Sequence, residues 1–420
     1  MKREARFFTL AVACVFPAAA SAQFQSQALE QPTQVEDVLT FSAGVEVTRD
    51  DNIFRLAPGV SPAATYGSTA RSDTVVTGRF GVKFDRNISL QRVTVSGEVR
   101  PTKYLEYSRY DNVGYTALAN WNWAIGRPWF GTLGLRLDQQ QSSFAEATQA
   151  DKNLERINKF YFTGGLRLTP SWAVVAGIDS TTLDNSTTAQ RAADYDFVGT
   201  ELGARFAPGT GTELEFVYRR TDGKYPNRQV IDAVGGVLSA AGGIDNGFSQ
   251  DQILARMQIK PSLDSRIVGA IGMTERNFDN LSQRDFSGPT ARLTLDWRPG
   301  GAFFMGVDLV RDIYSEELLT ANYVEVTRLS LRPSFRLTGK LTLNGTAAIA
   351  KHSYGGDPGF VTSNNQVRED DLNTYGLELT WDYARNIQFG IFMRREERDS
   401  NYANLDYTAN LFGLSGRLAF

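Results

Sequence analysis

Residues able to do covalent chemistry are scarce in this chain. Its 420 residues hold one histidine and one cysteine, against 44 lysines and arginines and 47 aspartates and glutamates. His352 stands in "KHSYGGD", beside Ser353. Nucleophilic catalysis needs a base in hydrogen-bond reach of the nucleophile and a third group orienting that base. Adjacency in sequence supplies neither, and His352 reads as a solvent-exposed residue at the outer end of a strand. Cys14 alone makes neither a disulfide framework nor a thiolate metal site. No phosphate loop or nucleic-acid motif is present, and the net charge is only −3. The expectation is therefore no enzyme, no cofactor, no metal and no nucleic-acid partner. Guanidinium and carboxylate remain, and their chemistry is charge-assisted, often bidentate hydrogen bonding.

Those charges fall at regular places. In "LTFSAGVEV", Leu39, Phe41, Ala43, Val45 and Val47 share one side, and Thr40, Ser42, Gly44 and Glu46 the other. "TVVTGRFGVKF", "RVTVSGEVR", "ARLTLDW" and "YGLELTW" repeat the pattern. Period two is the mark of a strand with two unlike faces. The polar faces collect Arg79, Arg92, Arg100, Arg136, Arg167, Arg256, Arg292, Arg332, Glu98, Glu213 and Glu378. Arg219, Arg328, Arg336, Arg417, Glu46, Glu215, Asp308 and Glu396 join them. Phase fails in places: Ile88 and Leu90 fall on the wrong face of the third strand, where a bulge or an earlier start is expected.

Punctuation alternates as well. Short turns such as "DRN", "GRP", "TPS", "RPGG" and "ARN" are rich in the residues that tight reversals need. Between them run longer polar connections at 50–70, 140–153, 182–192, 221–247, 275–284, 313–322, 353–368 and 396–404. The pattern predicts about 18 strands, an even number within the range of outer-membrane barrels. All six tryptophans, Trp121, Trp123, Trp129, Trp172, Trp297 and Trp381, lie near short turns on the apolar face. Tryptophan favours the boundary between hydrocarbon and headgroups, so six at one end trace an aromatic girdle.

Unpaired backbone groups are costly in lipid, so a spanning sheet must close on itself. The expected fold is all-β: a transmembrane antiparallel β-barrel of the bacterial outer-membrane type, apolar side out. The terminal "NLFGLSGRLAF" would be its last strand, held by the first. A soluble secreted β-protein would also alternate, but it leaves the tryptophan placement unexplained. Residues 1–22 read as a signal peptide with a basic start, a short apolar core and an Ala20-Ser21-Ala22 cleavage site. Residues 23–37 read as a periplasmic segment and 38–420 as the barrel. The rival, a lipoprotein lipidated at Cys14, has too short an apolar core.

About 18 strands enclose a channel rather than a packed core. Inward charges of both signs could select solutes, and the arginines could guide an acidic saccharide. The alternative is that each charge merely hydrates and braces the wall. The long connection 221–247 is the candidate to fold inward and narrow the channel.

The stretch "FSAGVEVTRDDNIFRL", with the barrel pattern, resembles the EpsL-type outer-membrane proteins of exopolysaccharide loci, within a porin-like β-barrel group. Asp50, Asp51, Asn52 and Arg55 carry the resemblance over residues 39–56. It implies a part in exopolysaccharide export or biosynthesis, with polysaccharide or small solutes as cargo and periplasmic export components as partners. A general or sugar-selective diffusion porin is the alternative. Either would sit in outer-membrane lipid.

Overall fold

The computed structural model describes residues 38–145, 151–209, 211–227, 230–231, 237–239, 247–280, 282–318, 321–356 and 367–420. Almost all of it is strand. In chain order these are β1 (Val38–Asp50), β2 (Asp73–Ile88), β3 (Gln91–Tyr104), β4 (Asn112–Ile125), β5 (Trp129–Gln141), β6 (Leu154–Arg167) and β7 (Trp172–Asn185). Next come β8 (Tyr195–Gly209), β9 (Thr212–Lys224), the short pair β10 (Val230–Ile231) and β11 (Val237–Ser239), β12 (Phe248–Ser262), β13 (Ser265–Phe278) and β14 (Phe286–Gly300). The chain ends with β15 (Phe303–Leu318), β16 (Ala321–Arg336), β17 (Leu341–Gly355), β18 (Glu369–Ala384), β19 (Ile387–Ser400) and β20 (Tyr407–Ala419). No helix among the described residues is long and apolar enough to cross a membrane, a statement that does not bear on strands.

Apart from the β10–β11 pair, the strands form one 18-stranded antiparallel sheet. Each pairs with its sequence neighbours, and β9 pairs with β12. The ring closes where β1 meets β20, from Ser42 opposite Ala419 to Asp50 opposite Leu411. At one end of this seam Phe41 and Phe420 exchange both backbone hydrogen bonds, at 2.7 and 2.9 Å, and their rings stack at 5.9 Å. The final aromatic residue is thus part of the closure.

The alternation sorts cleanly. Phe80, Val99, Leu135, Phe160, Leu202, Phe216, Ile253, Ile271, Ile349, Ile391 and Leu414 are exposed large apolar residues, all at outward register positions. Many of their strand neighbours, such as Arg79, Glu98, Arg100, Arg136, Lys159, Glu201 and Glu215, are charged, and others, such as Val217, Leu254, Ala348 and Ala350, are apolar and buried on the inner side. In water such a surface would be an association site; in hydrocarbon it is the expected lipid face. The tryptophans lie at the short-turn end of this face. Trp121, Trp129, Trp172, Trp297 and Trp381 are exposed. Trp123 is half-buried because its indole stacks on Phe162 and covers Gly131, where any Cβ would lie 2.4 Å from the ring.

Details differ from the sequence reading. Ile88 closes β2, and Ser89 and Leu90 form the two-residue turn to β3. Ser89 takes φ +57°, as tight hairpins demand. The phase break at Ile88 and Leu90 is therefore a turn, and no bulge is needed. A long connection at 105–111, between β3 and β4, escaped detection. Strands also run into several of the expected loops: β13 reaches Phe278, β15 Leu318 and β19 Ser400. A membrane strand needs only about 9–11 residues, whereas these have 14–16. In a membrane the excess would stand beyond the hydrocarbon. His352 lies near the outer end of β17, but half-buried on the inner face, opposite Asp370 and Val326, rather than exposed.

Candidate functional site: the inner wall and the mouth

Inward positions of neighbouring strands lie about 5 Å apart, so opposite charges there meet across the ladder. On β1–β5, Arg79 reaches Glu46 at 3.3 Å and Glu98 at 3.6 Å. Arg100 bonds the same Glu98 at 3.2 Å and lies 3.6 Å from Asp138, which Arg136 also approaches at 3.8 Å. A denser network covers β7–β12. Arg256 holds Glu201 at 2.7 Å and Glu215 at 3.4 Å. Arg205 holds Glu213 at 3.1 Å, and Arg219 holds Asp179 at 2.6 Å. On β14–β16, Arg292 pairs with Asp312, and Arg332 lies 2.8 Å from Asp308 and 3.8 Å from Asp296.

The remaining positions lie apart from these networks. Arg92 forks onto Asp85 at 3.0 and 2.9 Å near the short turns. Arg167 donates to the Arg127 carbonyl at 2.8 Å and covers the Phe130 ring. Glu378 faces Asn344 across β17–β18. Among the described residues, no group of histidine, cysteine, aspartate or glutamate is arranged to hold a metal ion.

At the long-connection end the inner face changes character. Tyr104, Leu183, Tyr195, Phe197, Phe248, Phe278, Tyr354 and Tyr407 occupy inward positions and are buried. They gather in clusters, one containing Ile53, Phe54, Tyr66, Tyr104, Tyr107 and Tyr110, another Leu183, Tyr195, Phe197, Tyr225, Phe248 and Phe278. The polar-inside expectation thus holds for the mid-barrel and not for the mouth. A signal was present: each of these aromatics sits out of phase, at the last turns of a strand, on its polar face.

Residues 50–55 organise the first cluster. Asp50 accepts from the Asn52 N–H at 2.9 Å and from Arg55 Nη1 at 2.7 Å. Asp51 extends the seam: its carboxylate accepts the Asn410 N–H at 2.7 Å and Nδ2 at 2.8 Å. Asn52 Nδ2 donates to the carbonyls of Leu56, at 2.9 Å, and Thr408, at 3.0 Å. Arg55 Nε donates to Glu396 on β19 at 2.9 Å. Burial works against the Arg55 charge, but Asp50 and Glu396 outweigh it and hold its pKa above the ordinary value. Arg55 also takes φ +55°, a left-handed conformation that a non-glycine residue adopts only when its surroundings enforce it. Burial likewise raises the Tyr66 and Tyr110 phenols.

Residues 268–420 match the family model described as "Putative beta-barrel porin 2". Solved structures similar in fold include the outer membrane protein opdK from Pseudomonas aeruginosa, 10% identical over 91% of this chain and 99% of that one, with TM-score 0.47. P. aeruginosa OccK3 (OpdO) is 11% identical over 91% and 96%, with TM-score 0.46. Acinetobacter baumannii OccAB3 is 9% identical over 91% and 99%, with TM-score 0.45. No match is found among curated proteins. The chain is a β-barrel closed by 18 antiparallel strands, and its residues 268–420 are similar to that porin family.

Proposed function

We propose that this protein is a diffusion channel of the bacterial outer membrane for small hydrophilic solutes, not a catalyst. One observation carries the reading: a closed ring that is apolar outside bears charged, ion-paired side chains on its inner face. Such a wall suits water and solutes and has no use in a dry core. Short turns would face the periplasm and long connections the exterior.

The charges also divide by sector. Strands β12–β16 present Arg256, Arg266, Arg276, Arg292, Arg328, Arg332 and Arg336 inward, against Asp296, Asp308 and Asp312. Strands β18–β20 and β1 present Asp370, Glu378, Asp382, Glu396, Glu46 and Asp50 against Arg394, Arg398 and Arg417. The arginine-rich wall favours solutes that carry carboxylate. In planar bilayers the purified protein should give unit conductance steps. Replacing Arg328, Arg332 and Arg336 with glutamine should lower the preference for anions. Silence in bilayers together with no solute uptake by proteoliposomes would overturn the proposal.

Export of exopolysaccharide, with periplasmic partners, is a second reading. It rests on the resemblance over residues 39–56. Normal surface polymer in a deletion strain would remove it.

A further inference from the structure

We propose that residues 51–72, folded into the mouth and clasped to the wall by Arg55, set the size limit of the channel. The proposal rests on the diffusion-channel reading and names the part that does the sieving.

Two observations place this connection in the solute's path, and a third shows a neighbouring connection reaching across the same mouth. Glu396 lies short of the end of β19 at Ser400 and shares its face with Arg394 and Arg398, opposite the lipid-facing Ile391 and Met393. Arg55 can reach it at 2.9 Å only from the lumen side. Second, inward residues at the ends of β20 and β3 are hidden: Ala409 is 0% exposed, Leu411 5% and Tyr104 7%. An open mouth would leave them in water, so chain covers them from within. Third, Arg398 on β19 donates Nη1 to the Ala145 carbonyl at 3.1 Å. Ala145 belongs to the connection after β5, with β20, β1, β2, β3 and β4 standing between the two strands. That bond crosses an arc of the opening.

The inward segment is also built to stay put. Phe54 stacks on Tyr66 at 3.6 Å and meets Tyr107 and Phe144 edge-on at 4.7 and 5.1 Å. Arg71 ties its return limb through 3.0 Å bonds to the carbonyls of Ala57 and Val60. Asp73, 0% exposed, accepts the N–H groups of Glu106 and Tyr107 at 2.9 and 3.1 Å. This joins the first connection to the second. Asp50, Asn52 and Arg55 are accordingly the anchor of a fixed constriction. The connection 221–247, the candidate from sequence, lies largely outside the described residues, and the sieve does not require it.

The test measures single-channel conductance and uptake of sugars of graded size by proteoliposomes. It uses the full-length wild type, Glu396→Gln, Arg55→Ala, and a variant with 57–70 replaced by a short Gly/Ser linker. Heat-modifiable gel migration reports folding. The expected result is a rise in conductance and passage of larger sugars, smallest for Glu396→Gln and largest for the linker variant. Should Arg55→Ala not fold, Glu396→Gln and the linker variant carry the comparison. A silent wild type beside a conducting linker variant also supports the constriction. Folded variants with wild-type conductance and size limit reject it and leave the channel reading intact. No conduction from the wild type or from the linker variant rejects both.

Discussion

The two ends of the barrel use aromatic residues in opposite directions. At the short-turn end Trp121, Trp129, Trp172, Trp297 and Trp381 point outward and stay exposed. At the other end Tyr104, Phe197, Phe248, Phe278, Tyr354 and Tyr407 point inward and are buried. Neither set belongs to the mid-barrel, where outward phenylalanines such as Phe80, Phe160 and Phe216 stand among aliphatic residues and the inside carries most of the charge. The difference follows from what each end meets. Short turns leave the ring open below, so aromatic surface there mostly meets lipid headgroups, with Phe130 under Arg167 the inward exception. Long connections can fold back, so aromatic surface above is useful for fastening them. One end is held by the membrane and the other by its own loops.

This contrast can be broken deliberately. The largest effect is expected from removing one member of the dense inner network. Arg256→Ala strips Glu201 and the buried Glu215 of their shared partner, leaving Glu201 with Arg219 and Glu215 with Arg205, and should cost about 3–5 kcal/mol, read by denaturant titration of heat-modifiable migration. Next come adjacent residues on β16. Leu329→Arg puts charge against lipid and should cost about 2–4 kcal/mol, whereas Ser330→Arg on the inner face should be nearly neutral. Equal effects would contradict the assignment of faces. At the short-turn end, Trp297→Ala loses an edge-on contact with Phe303 at 6.3 Å. About 1 kcal/mol is expected there.

The mouth should answer to pH rather than to these changes. Tyr66 and Tyr110 have folded-state pKa values above the unfolded ones, because burial disfavours the phenolate. Their contribution is complete below about pH 10, the unfolded value, and is lost as pH rises through the folded one. A fraction of the tyrosines should therefore ionise late in an absorbance titration. The loops should become protease-sensitive at that point while the strands remain intact. Phe54→Ala should shrink the late fraction by the tyrosines of this cluster alone.

Much of the strand pattern is legible in the sequence. Alternation at Val45, Val47 and Glu46, or at Val95, Val99 and Glu98, is local, and lipid outside with water inside imposes it on every strand. The tryptophan ring and the closing role of Phe420 follow from the same two solvents. The mouth was not legible for a physical reason. Inward aromatics such as Phe197 and Phe248 break phase only near a strand end, where a phase error and a loop look alike. Ser89 and Leu90 illustrate the point from the other side, since a tight turn there mimicked a bulge. The clasp was harder still. Arg55 and Glu396 are 341 residues apart in sequence, and only closure of the ring brings them to 2.9 Å. Asp50, Asp51, Asn52 and Arg55 drew notice through a family resemblance. Their hydrogen bonds could not be read from it.

The central claim, that water touches one face of each strand and hydrocarbon the other, has a direct measurement. Cys14 is the chain's single native cysteine and can be replaced by serine. Each residue from 327 to 333 on β16 is then changed in turn to cysteine, and the variants are exposed in proteoliposomes to a membrane-impermeant thiol reagent. The account predicts labelling at 328, 330 and 332 and protection at 329 and 331. Uniform labelling along the strand, or labelling of 329 and 331 in preference to their neighbours, would contradict it.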